Sequence, residues 1–159
     1  MKINNELKEK LNLPDVSQVG IVVKDLDKAI AYYEDNLGLG PFVRLSTKDV
    51  SYTEKFYYNK PIDSVWIMGF CSLGPVELEI VQPVTGPTIY HDFLRAKGEG
   101  IHHLGFDIKD MDEKLMVCKK MGIEIMQSGR TPAGGFAYLN TEKIGGVIFE
   151  LIQRKSRRA

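Results

Sequence analysis

Cysteine, an excess of either charge and long hydrophobic runs are all scarce in this chain, and each shortage argues against a class of protein. Its 159 residues include only two cysteines, Cys71 and Cys118, which lie far apart and outside any CxxC motif. This argues against a disulfide scaffold and against a thiolate zinc site. The 21 basic residues are balanced by 21 acidic ones, so the chain lacks the positive charge typical of a dedicated nucleic-acid-binding protein.

Membrane insertion and secretion are not expected either. The longest uncharged run, residues 64–76, is too short to cross a bilayer and is interrupted by Gly69, Gly74 and Pro75. The N-terminus begins with charged residues and has no apolar signal core. We therefore expect a cytoplasmic protein that binds neither membranes nor nucleic acids. The basic C-terminal tail, residues 154–159, is interpreted as a solvated segment rather than a phosphate-binding arm.

The chain contains two copies of one sequence pattern. Residues 17–27 match residues 102–112 at a constant offset of 85, with Gly, Lys and two Asp at equivalent places. Residues 76–82 match residues 147–153 at an offset of 71. Because both matches occur in the same order within each half, they indicate a duplicated unit.

Each unit is predicted to fold as βαβββ. Alternating apolar residues begin it as a half-buried strand, and Asp25 or Asp110 then caps a helix. The helices have apolar residues at three-to-four spacing and end at Gly38 and Gly122. Three more strands are predicted in each half, near 41–47, 64–71 and 76–82 and near 123–128, 134–140 and 146–153. The fold class is therefore α+β, with two paired βαβββ modules.

The predicted organisation has five parts, which are an N-terminal extension forming a helix (1–15), a first module (16–83), a connecting segment with a short helix (84–100), a second module (101–153) and the basic tail (154–159). Leu7 and Leu11 would dock the first helix, and Pro87 and Gly98 would bound the connecting one. Residues 48–61 depart from the repeat and are predicted to form a long loop or strand extension. Its aromatic residues could line a ligand cavity or cover the sheet edge, and both alternatives stay open for Tyr52, Phe56, Tyr57 and Tyr58.

Strand alternation selects four candidate metal ligands. Gln18 and His103 should face away from the helices, towards the concave side of the sheet, where Gly20 and Gly105 leave room. Glu150 shares a strand face with two isoleucines, where an unpaired charge would cost several kcal/mol if buried.

Each of the four residues alone would be an ordinary surface or core residue, but the repeat pairs them. It matches Gln18 with His103 and Glu79 with Glu150. Such an N/O site with one imidazole suits Zn, Ni, Co or Mn. Glu77 shares the strand face of Glu79. His91 and His102 have no repeat partner of their type, and they are interpreted as neighbours of the site or as surface residues.

Four motifs carry a resemblance to a known family. They are a strand ending in V-x-D-[LM]-D before a helix, E-x-x-Q at 79–82, G-I-H-H-L-G-F at 100–106 and G-G-V-I-F-E-L at 145–151. Over residues 16–153 the chain resembles the vicinal-oxygen-chelate (glyoxalase/bleomycin resistance/dioxygenase) superfamily. Within it, the chain is similar to methylmalonyl-CoA epimerases and to proteins related to lactoylglutathione lyase (glyoxalase I).

The resemblance implies a curved, incompletely closed, barrel-like sheet of eight strands around one divalent metal ion, in a homodimer. The ligand positions of the family fall on Gln18, Glu79, His103 and Glu150. Most epimerases and bacterial glyoxalases have His at the position of Gln18, and a neutral amide oxygen is a weaker ligand than imidazole. The animal type of glyoxalase I is similar to this chain in having Gln, Glu, His and Glu.

The function implied is metal-dependent proton abstraction next to a carbonyl, with an enolate intermediate and Glu150 as the base. A methylmalonyl-CoA epimerase-like isomerase acting on an acyl-CoA fits first. Epimerases are expected to use two bases, and the strand over 63–70 offers only Asp63 as a second.

The residues also leave three alternatives open. One is a lactoylglutathione lyase-like enzyme acting on a glutathione hemithioacetal, for which no cationic clamp is located. Another, of a different class, is a metal-free small-molecule-binding or resistance protein. An extradiol dioxygenase fits less well, because its iron site uses two His and one carboxylate.

Overall fold

Two βαβββ modules follow one another in the computed structural model, which describes residues 10–158. The first module comprises β1 (Gln18–Val22), α1 (Leu26–Leu37), β2 (Val43–Ser46), β3 (Glu54–Tyr57), β4 (Lys60–Pro61), β5 (Val65–Leu73) and β6 (Val76–Thr85). A connecting helix, α2 (Ile89–Lys97), follows. The second module comprises β7 (Gly100–Asp107), α3 (Met111–Met121), β8 (Ile125–Thr131), β9 (Gly134–Leu139) and β10 (Ile148–Gln153). The predicted α+β class is confirmed.

The helices of the two modules begin and end at the predicted residues. Asp25 and Asp110 are the N-caps, and each carboxylate accepts a bond of 3.0 Å from the backbone N–H three residues later. Gly38 and Gly122 end the helices in the left-handed conformation, which glycine adopts without strain. The repeat also explains a matching pair of glutamines at the strand ends. The side-chain oxygens of Gln82 and Gln153 accept bonds from the first helical N–H groups, at Leu26 and Met111.

Within residues 10–158 the strands form one sheet in the order β2-β5-β6-β1-β7-β10-β9-β8-β3-β4. The modules join at its centre, where β1 pairs antiparallel with β7. Each module also has one parallel pair, β1 with β6 and β10 with β7. This arrangement brings β6, β1, β7 and β10 side by side, so that any residues on their concave faces converge.

The sheet has ten strands where eight were expected, and the departure lies in residues 48–61. They form a hairpin, β3–β4, whose first strand pairs with β8 of the second module, from Glu54↔Arg130 to Tyr57↔Gln127. Each of the two alternatives, lining a cavity and covering the sheet edge, holds for some of the aromatic residues. Tyr52 packs inside, against Trp66 and Phe136, whereas Phe56 and Tyr58 lie at the sheet edge beside β8.

Apolar packing separates the two faces of the sheet. Leu26 and Ile30 of α1 pack on the convex side with Ile80, and Met111 and Cys118 of α3 do the same in the second module. The concave side is filled by a cluster rich in aromatic rings, which includes Phe70, Trp66, Tyr90 and Tyr138.

The predicted N-terminal helix falls largely on residues 1–9, outside the described residues. Residues 10–15 contain no helix, and Leu11 and Leu13 pack against the core beside α3. Among the described helices none is long and apolar enough to cross a bilayer.

Candidate metal centre and active site

The four candidate ligands meet on the concave side of the central strands. Gln18 lies on β1, Glu79 on β6, His103 on β7 and Glu150 on β10, and each is at most 5% exposed. The Nε2 atom of His103 lies 3.1 Å from a carboxylate oxygen of Glu79, 3.1 Å from one of Glu150 and 3.2 Å from the amide oxygen of Gln18. The structure thus brings together all four residues that the repeat selected.

Two glycines make this convergence possible. A Cβ atom on Gly20 would lie 1.8 Å from the ring of His103, and one on Gly105 would lie 2.9 Å from the Cβ of Gln18. Each glycine therefore leaves the space that the ligand of the other module occupies. The relation is reciprocal, as expected from two related modules facing each other across β1 and β7.

A β-bulge places two adjacent histidines on the same side of β7. Gly20 pairs with His103 and Ile21 pairs with Ile101, so His102 is the extra residue. Both rings are consequently buried, and their Nδ1 atoms lie 2.9 Å apart. His103 can present Nε2 to an ion while its Nδ1–H donates to His102, the arrangement that usually orients a ligating histidine. Of the two interpretations for His102, the structure supports a neighbour of the site.

The donor set fits a divalent ion. Glu79, His103 and Glu150 each place one ligand atom within 4.8 Å of the others. One carboxylate oxygen of Glu79 and one of Glu150 are buried with no well-directed hydrogen bond, and the neighbour of each is the Nε2 atom of His103, at 3.1 Å. Orphaned carboxylate oxygens are costly in a protein interior and usually have a partner. Tetrahedral ligand atoms about 2.1 Å from a shared ion stand roughly 3.4 Å apart. The 3.1–3.2 Å between Nε2 of His103 and the oxygens of the other three residues are close to this separation.

Burial and mutual charge set the protonation of the ion-free site. Burial lowers the pKa of His103, but the carboxylates of Glu150 and Glu79 outweigh this effect and raise the pKa to about 9. Burial raises the pKa of Glu150 above its ordinary value. Burial also holds the pKa of His102 well below its ordinary value, with the charge of His103 acting in the same direction. A divalent ion would replace the proton of His103 and compensate both carboxylates.

Glu77 fixes the orientation of the Gln18 amide. The amide nitrogen of Gln18 donates to Glu77 at 2.8 Å, which turns the amide oxygen towards His103. Arg154 forms ion pairs with Glu77 at 2.6 Å and with Asp107 at 2.8 Å. Burial opposes the charge on Glu77, but the bonds from Arg154 and Gln18 lower its pKa below the ordinary value. Gln18, the weakest of the predicted ligands, is therefore held in place through the buried ion pair of Glu77 with Arg154.

Two tyrosines orient Glu150. The hydroxyl of Tyr90 donates to that of Tyr138 at 2.9 Å, and Tyr138 in turn hydrogen-bonds to Glu150. Both tyrosines are buried, and the ring of Tyr138 also contacts His103 at 5.0 Å. The base proposed from the sequence therefore has a fixed position.

A cavity of about 300 Å³ opens onto the site. Gln18, Glu79 and Glu150 line its base, and Tyr52 and Trp66 line its wall. His91 lies outside this site, with its ring beside the hydroxyl of Thr88, in agreement with the expectation that it is not a ligand. Asp63 is exposed and does not line this cavity, so the strand that was expected to supply a second base does not supply it here.

Several residues of the site were not selected from the sequence. The signal for Glu77 in the sequence is that it shares a strand face with Glu79. Tyr138 lies opposite Glu150 as Phe70 lies opposite Glu79, so the hydroxyl is not repeated and gives no signal in the sequence. Tyr90 lies on the connecting helix, outside the repeat. Arg154 was assigned to a solvated tail, but its side chain is only 9% exposed because two carboxylates hold it against the sheet.

The fold and the site define the class of protein. The family model described as the Glyoxalase/Bleomycin resistance protein/Dioxygenase superfamily matches residues 17–139. The chain belongs to this superfamily, also called the vicinal-oxygen-chelate superfamily.

Individual relatives are more distant. The chain is 26% identical over 144 residues to the uncharacterized protein YqjC of Bacillus subtilis, covering 88% of this chain and 92% of that protein. It is 28% identical over 148 residues to the mitochondrial methylmalonyl-CoA epimerase of Bos taurus, covering 89% of this chain and 75% of that one.

Solved structures share the fold. The methylmalonyl-CoA epimerase of Mycobacterium tuberculosis aligns with a TM-score of 0.66 at 21% identity, covering 91% of this chain and 90% of that one. A variant of the Streptomyces coelicolor methylmalonyl-CoA epimerase in complex with 2-nitronate-propionyl-CoA aligns with a TM-score of 0.68 at 18% identity. The alignment covers 91% of this chain and 100% of the other.

Proposed function

We propose that this protein is a metal-dependent isomerase that abstracts a proton next to the carbonyl of an acyl-CoA, as methylmalonyl-CoA epimerases do. The observation that carries the proposal is the position of Glu150, a buried carboxylate that lines the cavity within 3.1 Å of His103. The relatedness to methylmalonyl-CoA epimerases over 89% of the chain supports the choice of substrate class.

Gln18, Glu79, His103 and Glu150 would hold the ion, with Zn, Ni, Co and Mn as the candidates for this donor set. A divalent ion bound there would supply Lewis-acid stabilisation of the negative charge that develops on the carbonyl oxygen. Glu77 keeps the amide oxygen of Gln18 turned inwards. The aromatic cluster around Trp66 and Tyr138 limits access of water to the reacting carbon.

Glu150 would take the α-proton. Its carboxylate lines the cavity in which the substrate would bind, which is where a general base has to lie. Tyr138 holds it in one orientation through the hydrogen bond already described. The electron pair of the broken C–H bond then moves into the enolate of the substrate, and Glu150 carries the proton.

Tyr52 is the proposed partner for inversion. Its ring lines the same cavity, and its hydroxyl has no hydrogen-bond partner among the residues of the described chain. Burial raises the pKa of Tyr52 to about 12, although the charge of Arg158 opposes the shift, so the phenol stays protonated and can donate. Donation to the enolate carbon from the face opposite Glu150 would invert the centre, and solvent would restore both groups.

The test is deuterium exchange at the α-carbon of methylmalonyl-CoA in heavy water, with metal-loaded protein. We expect Glu150→Gln to slow the exchange at least about a hundredfold, since a general base contributes that much or more. Tyr52→Phe should slow epimerisation by a similar factor while keeping exchange in one epimer, because only the second proton donor is lost. Glu54→Gln, an exposed carboxylate on β3, is the matched control. Wild-type protein that exchanges no acyl-CoA α-proton contradicts the proposal.

A glutathione hemithioacetal is the second candidate substrate. Two observations favour it, the Gln-Glu-His-Glu donor set and the cationic residues at the mouth of the cavity, which include Lys155 and Arg158. The same exchange assay with a hemithioacetal separates the two substrates. A protein that takes up no stoichiometric metal belongs instead with the metal-free binders, which elemental analysis detects. The homodimer also stays a prediction, and light scattering tests it.

A further inference from the structure

The C-terminal segment, residues 154–158, folds back over the mouth of the cavity. Arg154 anchors its start to Glu77 and Asp107, and the backbone N–H of Arg158 donates to the second oxygen of Glu77 at 2.9 Å. One buried carboxylate thus fixes both ends of the segment. Four of its five residues line the cavity, namely Arg154, Lys155, Ser156 and Arg158.

The guanidinium of Arg158 lies over an aromatic ring beside the cavity. It lies 4.8 Å from the ring centre of Phe70, which is buried and pairs with Glu79 in the sheet. Its charge also reaches Tyr52, where it opposes the larger effect of burial on the pKa. A guanidinium over an aromatic ring retains N–H donors for a carboxylate or phosphate. Arg158 is therefore held close to the candidate ligands and still able to bind.

The cations of this segment differ in whether a carboxylate neutralises them. Arg154 is paired twice. In contrast, no carboxylate of residues 10–158 forms an ion pair with the ammonium of Lys155 or the guanidinium of Arg158. The two glutamates at the base of the cavity would be compensated by a divalent ion. The mouth then carries a net positive charge that attracts an anion.

We propose that Arg158, assisted by Lys155, forms an anion subsite that binds a carboxylate or phosphate of the substrate entering the metal cavity. The proposal rests on the proposed function only in taking this cavity as the substrate site. A cavity of about 300 Å³ accommodates an acyl group but not a complete acyl-CoA. The rest of a thioester would therefore pass the C-terminal segment, and the anionic group could belong to the acyl chain or to its carrier.

The experiment measures binding rather than turnover. Full-length, metal-loaded protein is titrated by calorimetry with two probes, malonyl-N-acetylcysteamine thioester, which has a carboxylate and no phosphate, and free coenzyme A, which has phosphates and no acyl group. We expect Arg158→Gln to weaken at least one probe about tenfold, as the loss of a charged hydrogen bond does. Weakening of the thioester alone assigns the subsite to an acyl carboxylate, and weakening of coenzyme A alone assigns it to a carrier phosphate.

Arg157→Gln is the matched control. Arg157 is an exposed cation of the same segment that does not line the cavity, so its loss should leave both affinities within about twofold. Equal effects of the two variants on both probes, or no binding of either probe to the wild-type protein, would overturn the proposal. Thermal unfolding of each variant verifies the fold. Because no turnover is needed, the subsite can be established even if no proton exchange is found.

Discussion

At the scale of single residues, the site depends on two positions that lack a side chain as much as on the ligands. Gln18 and His103 occupy equivalent places in the two modules, and Gly20 and Gly105 leave the space that those side chains fill. These four positions could be predicted from the repeat, because the same pattern, a ligand followed two residues later by a glycine, occurs on the first strand of each module. It could not predict the bulge at His102, since an extra residue in a strand has no sequence signature of its own.

The glycines give a graded prediction. Gly20→Ala places a methyl group 1.8 Å from the ring of His103, whereas Gly105→Ala meets Ile152 at 2.8 Å and Gln18 at 2.9 Å. We expect Gly20→Ala to destabilise the fold by about 3 kcal/mol and to abolish metal binding, and Gly105→Ala to cost about 1–2 kcal/mol. Urea denaturation and metal titration measure both effects. Equal losses for the two variants would contradict the predicted dependence on contact distance.

At the scale of elements, the sequence predicts features that depend on neighbouring residues better than features that depend on residues far apart in the chain. Both module helices could be read from the sequence because caps, apolar spacing and terminal glycines lie within a dozen residues of each other. For residues 48–61 the sequence predicts only a loop or strand extension, because the strand that pairs with β3, β8, lies in the other module. In the C-terminal segment, residues 155–158 are exposed, as expected of a solvated tail, but Arg154 is not. The sequence alone does not place Glu77 and Asp107 beside Arg154.

The hairpin is also tied to the connecting helix, which gives a prediction about pH. The hydroxyl of Tyr57 on β3 donates to Asp92 of α2 at 2.6 Å, and this bond, with burial, raises the pKa of Tyr57 to about 12 from 10.0. A group whose pKa is raised by folding stabilises the protein fully below its unfolded pKa and loses that contribution as the pH rises through its folded pKa.

Tyr57→Phe should therefore lower stability below pH 10, and its difference from the wild type should shrink as the pH approaches about 12. Urea denaturation across this range measures the difference, and tyrosinate absorbance should show one fewer phenol titrating at high pH. Tyr32→Phe, an exposed tyrosine on α1, is the control. A difference that stays constant with pH would show that the bond to Asp92 contributes nothing.

At the scale of the whole molecule, the candidate ion is a link between the modules. Gln18 and Glu79 come from the first module, and His103 and Glu150 come from the second. An ion at this place binds the folded protein and has no equivalent preformed site in the unfolded chain, so it should stabilise the complete fold.

We expect Zn, Ni, Co or Mn at a hundredfold excess over the dissociation constant to raise the melting temperature by roughly 5–10 °C, which corresponds to about 2.7 kcal/mol. Glu79→Gln should remove most of this rise, because it replaces a charged ligand by a neutral one of the same shape. Glu54→Gln should keep it. A chelator-treated wild type that melts at the same temperature with and without these ions would argue against the site.

The pairing of β3 with β8 also bears on the order in which the chain folds. Glu54 and Arg130 are partners although 76 positions separate them in the chain, so this pairing carries a large loop-closure cost and needs residues of both modules. Tyr52 lies two residues before β3, and its ring reaches Phe136 of the second module. The wall of the cavity is therefore built from both modules, and a nascent chain cannot complete it before the second module has been synthesised.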